Sequence, residues 1–410
     1  MSSVSLELPP DSPLFDIPVD CLPLIPSPNV HTPAKKFRFH VVQERKNLLV
    51  VPNAEDSFSR LPASAKYDPS CLCINPIPPT AYLRSLKKYL RSLSSEDYLS
   101  LRSLRAPESG GELLPLWVFT FWDEVSTLQD SQDKWKEGFS WLNSVDVTRQ
   151  ADEPVDTAFT YLEILGWASP LKLYGLRGLS NLTLAQFLSD GRINEDAIDL
   201  MAGYLSSLES LPPGVHVAKL SLSNFISKIP SSDALAQPSP RHIMALEKQL
   251  AQVDWLYFPS FYSAQKHWIA FRVNIPGRDV VYGMSYSIRN VLQALMQSSV
   301  STLGDSMGNS LPKPAKFIER LMWWLHARFD PRFTFNGRKL TTGSQLDGDS
   351  CGFFAMNTIW NGIFNTGVLV HRELRSDRIR WFNRLCSEVN IQVFPSIFPV
   401  GSSFDLQAAG

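Results

Sequence analysis

Gln345-Leu346-Asp347-Gly348-Asp349-Ser350-Cys351-Gly352-Phe353-Phe354 is the stretch on which the reading of this chain turns. A small, polar turn delivers a cysteine onto the first position of an apolar pattern running over 351–364, which predicts a helix opening at Cys351. Unpaired backbone N–H groups and the helix dipole favour a thiolate there. A buried structural thiol is the commoner fate of a lone cysteine. The polar approach, and the amide of Gln345 six residues earlier, shift the reading toward a nucleophile with an oxyanion donor beside it. Eighty-four residues upstream of Cys351, His267-Trp268 opens the alternating run Ile269-Ala270-Phe271-Arg272-Val273. A histidine at a strand start is within reach of a cysteine at a helix start, which is the nucleophile-and-base arrangement of a thiol protease.

The order His-Trp, then Gln, then Asp-Gly-x-x-Cys-Gly resembles the ubiquitin-like-protein-specific cysteine proteases, the SUMO/sentrin deconjugases and their adenain-like relatives. The segment Leu184-Ala185-Gln186-Phe187-Leu188, followed by Gly191-Arg192-Ile193-Asn194-Glu195-Asp196, resembles the substrate-binding helix entry of that family, and the resemblance spans roughly residues 165–395. It implies a papain-like, adenain-like α+β fold, with a mixed sheet flanked by helices, and a substrate that is a ubiquitin-like modifier or its conjugates. It implies Cys351 as nucleophile, His267 as base and Gln345 as oxyanion donor. Trp268 and Arg192 become the two walls of a tunnel for a Gly-Gly tail, with Asn194 beside them on the substrate. The chain departs from the family pattern at two positions. Where the family has its catalytic aspartate, 17 residues after the histidine, the run Tyr282-Gly283-Met284-Ser285 puts Met284, which accepts an imidazole N–H poorly. Where it has a tryptophan, this chain has Arg192. Asp279 follows Pro276-Gly277-Arg278 and reads as a turn residue at the wrong end of the strand.

Composition narrows the classes. Thirty-nine basic and 40 acidic residues nearly cancel, so no nucleic acid or anionic membrane is implied as a partner. Five cysteines without metal spacing point to a reducing compartment, and no metal or cofactor is implied. The longest apolar run, 113–122, is roughly half of what a bilayer needs. The amino-terminal twenty residues carry acids and prolines in place of a secretory signal. The expectation is an intracellular protein, nuclear or cytoplasmic, working as a monomer.

Four regions are expected. Residues 1–35, rich in Pro and Ser, read as a disordered tail, and 396–410 as a second tail. Residues 36–150 read as a mainly helical accessory region. Within it 37–51 suggests a strand or hairpin, and helices are expected from residue 82, from the Ser94-Ser95-Glu96-Asp97 cap, over 113–128 and over 135–142. The catalytic domain is expected over 160–395. It should contain a helix after Asn194, strands at 255–258, 268–273 and 280–286, a helix at 316–329, a hairpin around Asn336-Gly337, and a terminal helix over 372–389.

Two functions follow. One is a thiol peptidase cleaving after the C-terminal glycine of a ubiquitin-like modifier, weakened by the missing acid. The other is an impaired pseudoprotease that binds such a modifier or another protein partner. Cys351, His267 and Gln345 together favour the first; Met284 and Arg192 favour the second.

Overall fold

The computed structural model describes residues 16–25, 27–37, 54–59, 77–90, 100–102, 113–148, 153–263, 266–285 and 314–393. The chain divides into two compact units, Met1–Lys136 and Glu137–Gly410.

In the first unit, helix α1 (Thr80–Leu90) buries Tyr82, Leu83, Leu86 and Leu90, one apolar stripe at helical spacing. Three short strands, β1 (Phe58–Ser59), β2 (Ser100–Arg102) and β3 (Leu113–Pro115), form an antiparallel meander. Helix α2 (Trp117–Thr148) begins in this unit and runs past its boundary. Three expectations are corrected here. Leu101 lies in a strand rather than in a helix, because Leu101 and Leu114 pair across β2 and β3 and are both buried. Residues 113–115 are likewise extended, and the helices expected at 113–128 and 135–142 are one helix starting at Trp117. Part of the stretch expected as a disordered tail is packed: Cys21 is buried in the same apolar cluster as Phe58, Ile77 and Leu86, with Ile17 and Ile25 against it. Apolar residues spaced among prolines were enough to join a core. The strand or hairpin expected over 37–51 lies outside the described residues beyond Phe37.

The second unit is the mixed α+β layer structure expected. Helix α3 (Glu153–Ile164) and a two-stranded ribbon, β4 (Pro170–Leu171) with β5 (Leu179–Ser180), precede helix α4 (Glu195–Ser207). Then come β6 (Val215–Val217), α5 (Leu220–Ser227) and α6 (Arg241–Leu250). The central strands β7 (Trp255–Tyr262), β8 (His267–Asn274) and β9 (Asp279–Gly283) follow. Helix α7 (Ala315–Arg328), β10 (Thr334–Arg338), α8 (Cys351–Phe364) and α9 (Leu374–Val393) complete the unit.

The sheet order is β10-β9-β8-β7-β6, with the outer pairs parallel and the inner pairs antiparallel. Side chains alternate across it. One face carries Phe258, Ile269, Phe271, Val273 and Tyr282 into a cluster with Leu321 and Trp324 of α7. The other face meets α8, where the Tyr257 hydroxyl donates to the Gly362 carbonyl at 2.8 Å. Gly283 is required on that face: a Cβ there would lie 2.7 Å from Thr342 and 3.0 Å from Thr358 of α8.

The hairpin expected around Asn336-Gly337 is not formed. Residues 334–338 are a single strand, parallel to β9 and following α7. Phe335 lies opposite Val280 and Arg338 opposite Tyr282, so three steps on β10 match two on β9. Asn-Gly therefore serves a bulge, with Gly337 at φ +81°.

Candidate active site

Cys351 is the first residue of α8, and Ser350 precedes it at the N-cap position without a side-chain cap bond. The thiol is 2% exposed. Gly352 permits this seat, since a Cβ there would meet Ile193 at 2.9 Å and Ile198 at 3.0 Å. The helix start is thereby pressed against the entry to α4. Burial pushes the Cys351 thiol above its ordinary pKa. Hydrogen bonding by the backbone N–H of Trp268, the charge of Arg192 and the N–H of Gly352 work in the opposite direction, and Asp347 adds to the rise. The helix start therefore does less than expected from sequence, because desolvation of a sulfur this deep outweighs the N–H groups around it.

The Trp268 N–H at the sulfur brings the two halves of the sequence motif together. Its neighbour His267 is the first residue of β8, buried and opposite Tyr262. Trp268 is buried too, and its ring lies 5.0 Å from that of Phe261, its cross-strand partner. Phe261 itself is exposed.

Gln345 is 1% exposed and faces the turn before Cys351. Its Nε2 donates to the Asp347 carbonyl at 2.8 Å and to Asp347 Oδ1 at 3.0 Å, and its Oε1 accepts from Ser285 Oγ at 3.2 Å. Both amide hydrogens are thus engaged in holding the turn. Asp347 is the hub. Its Oδ1 also accepts from the N–H groups of Asp349 (2.9 Å) and Ser350 (2.8 Å), and its Oδ2 from Ser350 Oγ (2.7 Å). Burial alone would raise the Asp347 carboxyl, but these bonds from Ser350, Asp349 and Gln345 hold it below the usual carboxylate range.

The segment 190–192 is fastened at three successive residues. Asp190 pairs with Arg375 at 2.6 Å. The Gly191 carbonyl accepts from Arg378 Nη2 at 2.7 Å. Arg192 reaches the cysteine turn, with Nε 2.7 Å from Asp349 Oδ1 and Nη2 2.9 Å from the Gly348 carbonyl. Arg378 lies fully buried over the Phe353 ring at 4.2 Å and also approaches Ser350 Oγ at 3.4 Å. Burial pulls its guanidinium down to about 10. Asn194 has a local duty: its Oδ1 accepts from the Ala197 N–H at 3.0 Å and caps α4, while its own N–H donates to Gln186 at 2.9 Å. The sequence reading missed Asp190, Arg375, Arg378 and the hub role of Asp347. Only the last had a local signal, since Asp-Gly-Asp-Ser is a favourable turn in which a carboxylate gathers N–H groups.

Met284 is 1% exposed and belongs to the apolar cluster of Ile269, Tyr282 and Trp324. The ladder ends with Gly283 opposite Ala270, and the next residue, Met284, shares a buried cluster with Ile269. His267 stands two residues before Ile269, on the same sheet face. Asp279 pairs with Asn274 at the far end of β8, as its turn position predicted.

Among the described residues no group of three His, Cys, Asp or Glu side chains is placed to hold a metal, and no helix is long and apolar enough to cross a membrane. No family model matches the chain, and no curated protein matches it significantly. Solved structures do. The chain is similar to the C-terminal Ulp1 protease domain in complex with Smt3, the yeast ortholog of SUMO, at 13% identity and a TM-score of 0.41, over 58% of this chain and 96% of that one. It is also similar to a Chaetomium thermophilum Ulp1-like SUMO protease catalytic domain (14%, TM-score 0.30, 60% and 88%). A third is the Chlamydia trachomatis effector ChlaDUB1 (14%, TM-score 0.26, 53% and 89%).

Proposed function

We propose that the Glu137–Gly410 unit is a thiol peptidase that cleaves after the C-terminal glycine of a ubiquitin-like modifier. One observation carries the reading. The helix that Cys351 opens packs on the strand that His267 opens, and the backbone N–H of Trp268, beside His267, favours the Cys351 thiolate. In the proposed reaction the Cys351 sulfur bonds to the glycine carbonyl carbon while His267 takes the thiol proton. The tetrahedral oxyanion is held by the Cys351 N–H and by Gln345, which gives up one of its Asp347 bonds to do so. Collapse breaks the C–N bond, and the proton on His267 leaves with the amine. Water then attacks the thioester, its proton passes through His267, and Cys351 is released as the thiol. Trp268 and Arg192 line the approach on this reading.

Met284 supports a second reading, a binding module without turnover. A thioether in an apolar cluster gives the imidazole no carboxylate to fix its ring. The test is labelling of the full chain by electrophiles attached to the C-termini of several ubiquitin-like proteins, with Cys351→Ser alongside. An adduct at Cys351 with one modifier supports the peptidase. A modifier that binds without ever forming the adduct supports the binding module.

A further inference from the structure

We propose that Arg192 is a positioning residue for Cys351, supplying a permanent positive charge beside the thiol from the segment that faces the cysteine turn. The inference deepens the peptidase reading and rests on it.

Geometry comes first. Arg192 spans from the entry of α4 to Gly348 and Asp349, the residues three and two places before the cysteine, with contacts of 2.9 and 2.7 Å. Its own segment is held still behind it, since Arg375 anchors Asp190 and Arg378 anchors Gly191. The guanidinium therefore has a fixed address over the turn. Its charge persists at every pH at which the thiol titrates, and it acts to favour the Cys351 thiolate.

The other charged groups around the turn are His267 from β8, Asp347 and Asp349 in the turn itself, Asp190 opposite, and Arg375 and Arg378 from α9. His371 completes the set, with Nδ1 3.8 Å from Asp347 Oδ2. Asp347 opposes thiolate formation, and Asp349 partly neutralises Arg192. Both members of the Arg192–Asp349 pair are about half exposed, so the effect is screened by salt.

The experiment is the pH profile of Cys351 alkylation by iodoacetamide in the full chain, read by mass spectrometry of the Cys351 peptide. In Arg192→Gln the inflection should move to higher pH, and the rate near neutrality should fall about threefold, the scale of a half-exposed charge pair. Arg192→Lys should lie nearer the wild type. Asp349→Asn should move the inflection the other way, to lower pH. The opposite signs are the decisive readout: both variants break the same ion pair, so a purely mechanical role moves reactivity in one direction only. Superimposable profiles for Arg192→Gln and the wild type overturn the proposal. If Arg192→Gln does not fold, Asp349→Asn decides, and an inflection that stays or rises overturns it. A chain that no modifier probe labels overturns the peptidase reading and this inference with it, whereas superimposable profiles in a chain that a probe does label overturn this inference alone.

Discussion

At the scale of single residues, the sequence singles out four positions for the proposed chemistry, and it does not show their surroundings. Cys351, His267, Gln345 and Met284 announce themselves by order and spacing. What the spacing could not show is competition for their atoms. Gln345 is built into the turn through Asp347 and Ser285, so replacing it has two effects. Gln345→Ala should lower turnover about two to three orders of magnitude with little change in KM, as loss of an oxyanion donor does. It should also lower the melting temperature, because Asp347 loses a buried partner at a cost of about 1–3 kcal/mol. Steady-state kinetics and thermal unfolding read the two separately, and an unchanged turnover removes Gln345 from the reaction. Met284→Asp has effects of opposite sign. The variant should hydrolyse a ubiquitin-like C-terminal substrate faster, since position 284 shares the sheet face of His267. It should be less stable by about 1–3 kcal/mol, since position 284 is buried within an apolar cluster that includes Ile269 and Trp324. A stable variant with no gain in rate shows that position 284 does not address the imidazole.

At the scale of elements, legibility followed periodicity. Strands β7 to β9 are short, nearly continuous buried runs, and α8 is buried over Cys351–Met356 and Thr358–Trp360, so their places were readable to within a few residues. Asn336-Gly337 was misread because the dipeptide signals a positive φ and not what uses it; a bulge on an edge strand wants the same conformation as a hairpin turn. The clasp of Arg192 on Gly348 and Asp349 was invisible, since its partners lie more than 150 residues apart in sequence. Gly352 is the element-level consequence of that clasp. Its missing side chain sets how closely α8 approaches the entry to α4. Gly352→Val should force the two apart against Ile193 and Ile198 and cost about 1–3 kcal/mol, as overpacking does. Because the shift opens the nucleophile's seat, modifier-probe labelling of Cys351 should drop further than stability alone explains. A variant that melts lower yet labels as the wild type does separates the seat from the chemistry.

At the scale of the whole molecule, pH sets the clasp against the rest of the fold. Asp347 and Asp190 both have folded pKa values below their ordinary ones. For each, burial acts the other way and is outweighed: by Ser350, Asp349 and Gln345 at Asp347, and by Arg375, Trp141 and Arg378 at Asp190. The stability they contribute is present above the unfolded carboxylate pKa of about 3.9 and is lost as pH falls through the folded value. Asp199, Asp377 and Glu388 are shifted upward, burial being the largest cause for each. Their contribution has the reverse sign: it is present in acid and is lost as pH rises through their folded values. The two groups cancel in part, so the melting temperature of the wild type against pH cannot isolate the clasp. A difference can. Asp347→Asn keeps the size of the side chain but accepts the Ser350 and Asp349 N–H groups less strongly. It should melt below the wild type at neutral pH, and the gap should narrow as pH falls below about 4 and close as pH falls through the lowered folded value, where the folded wild-type carboxylate is itself protonated. A gap that persists unchanged into acid would mean that the charge of Asp347 contributes nothing and that its bonds to the turn are those of any amide. A closing gap, with the Asp349 and Ser350 amides losing hydrogen-exchange protection over the same range, would locate the acid-labile part of this fold at the turn that carries Cys351.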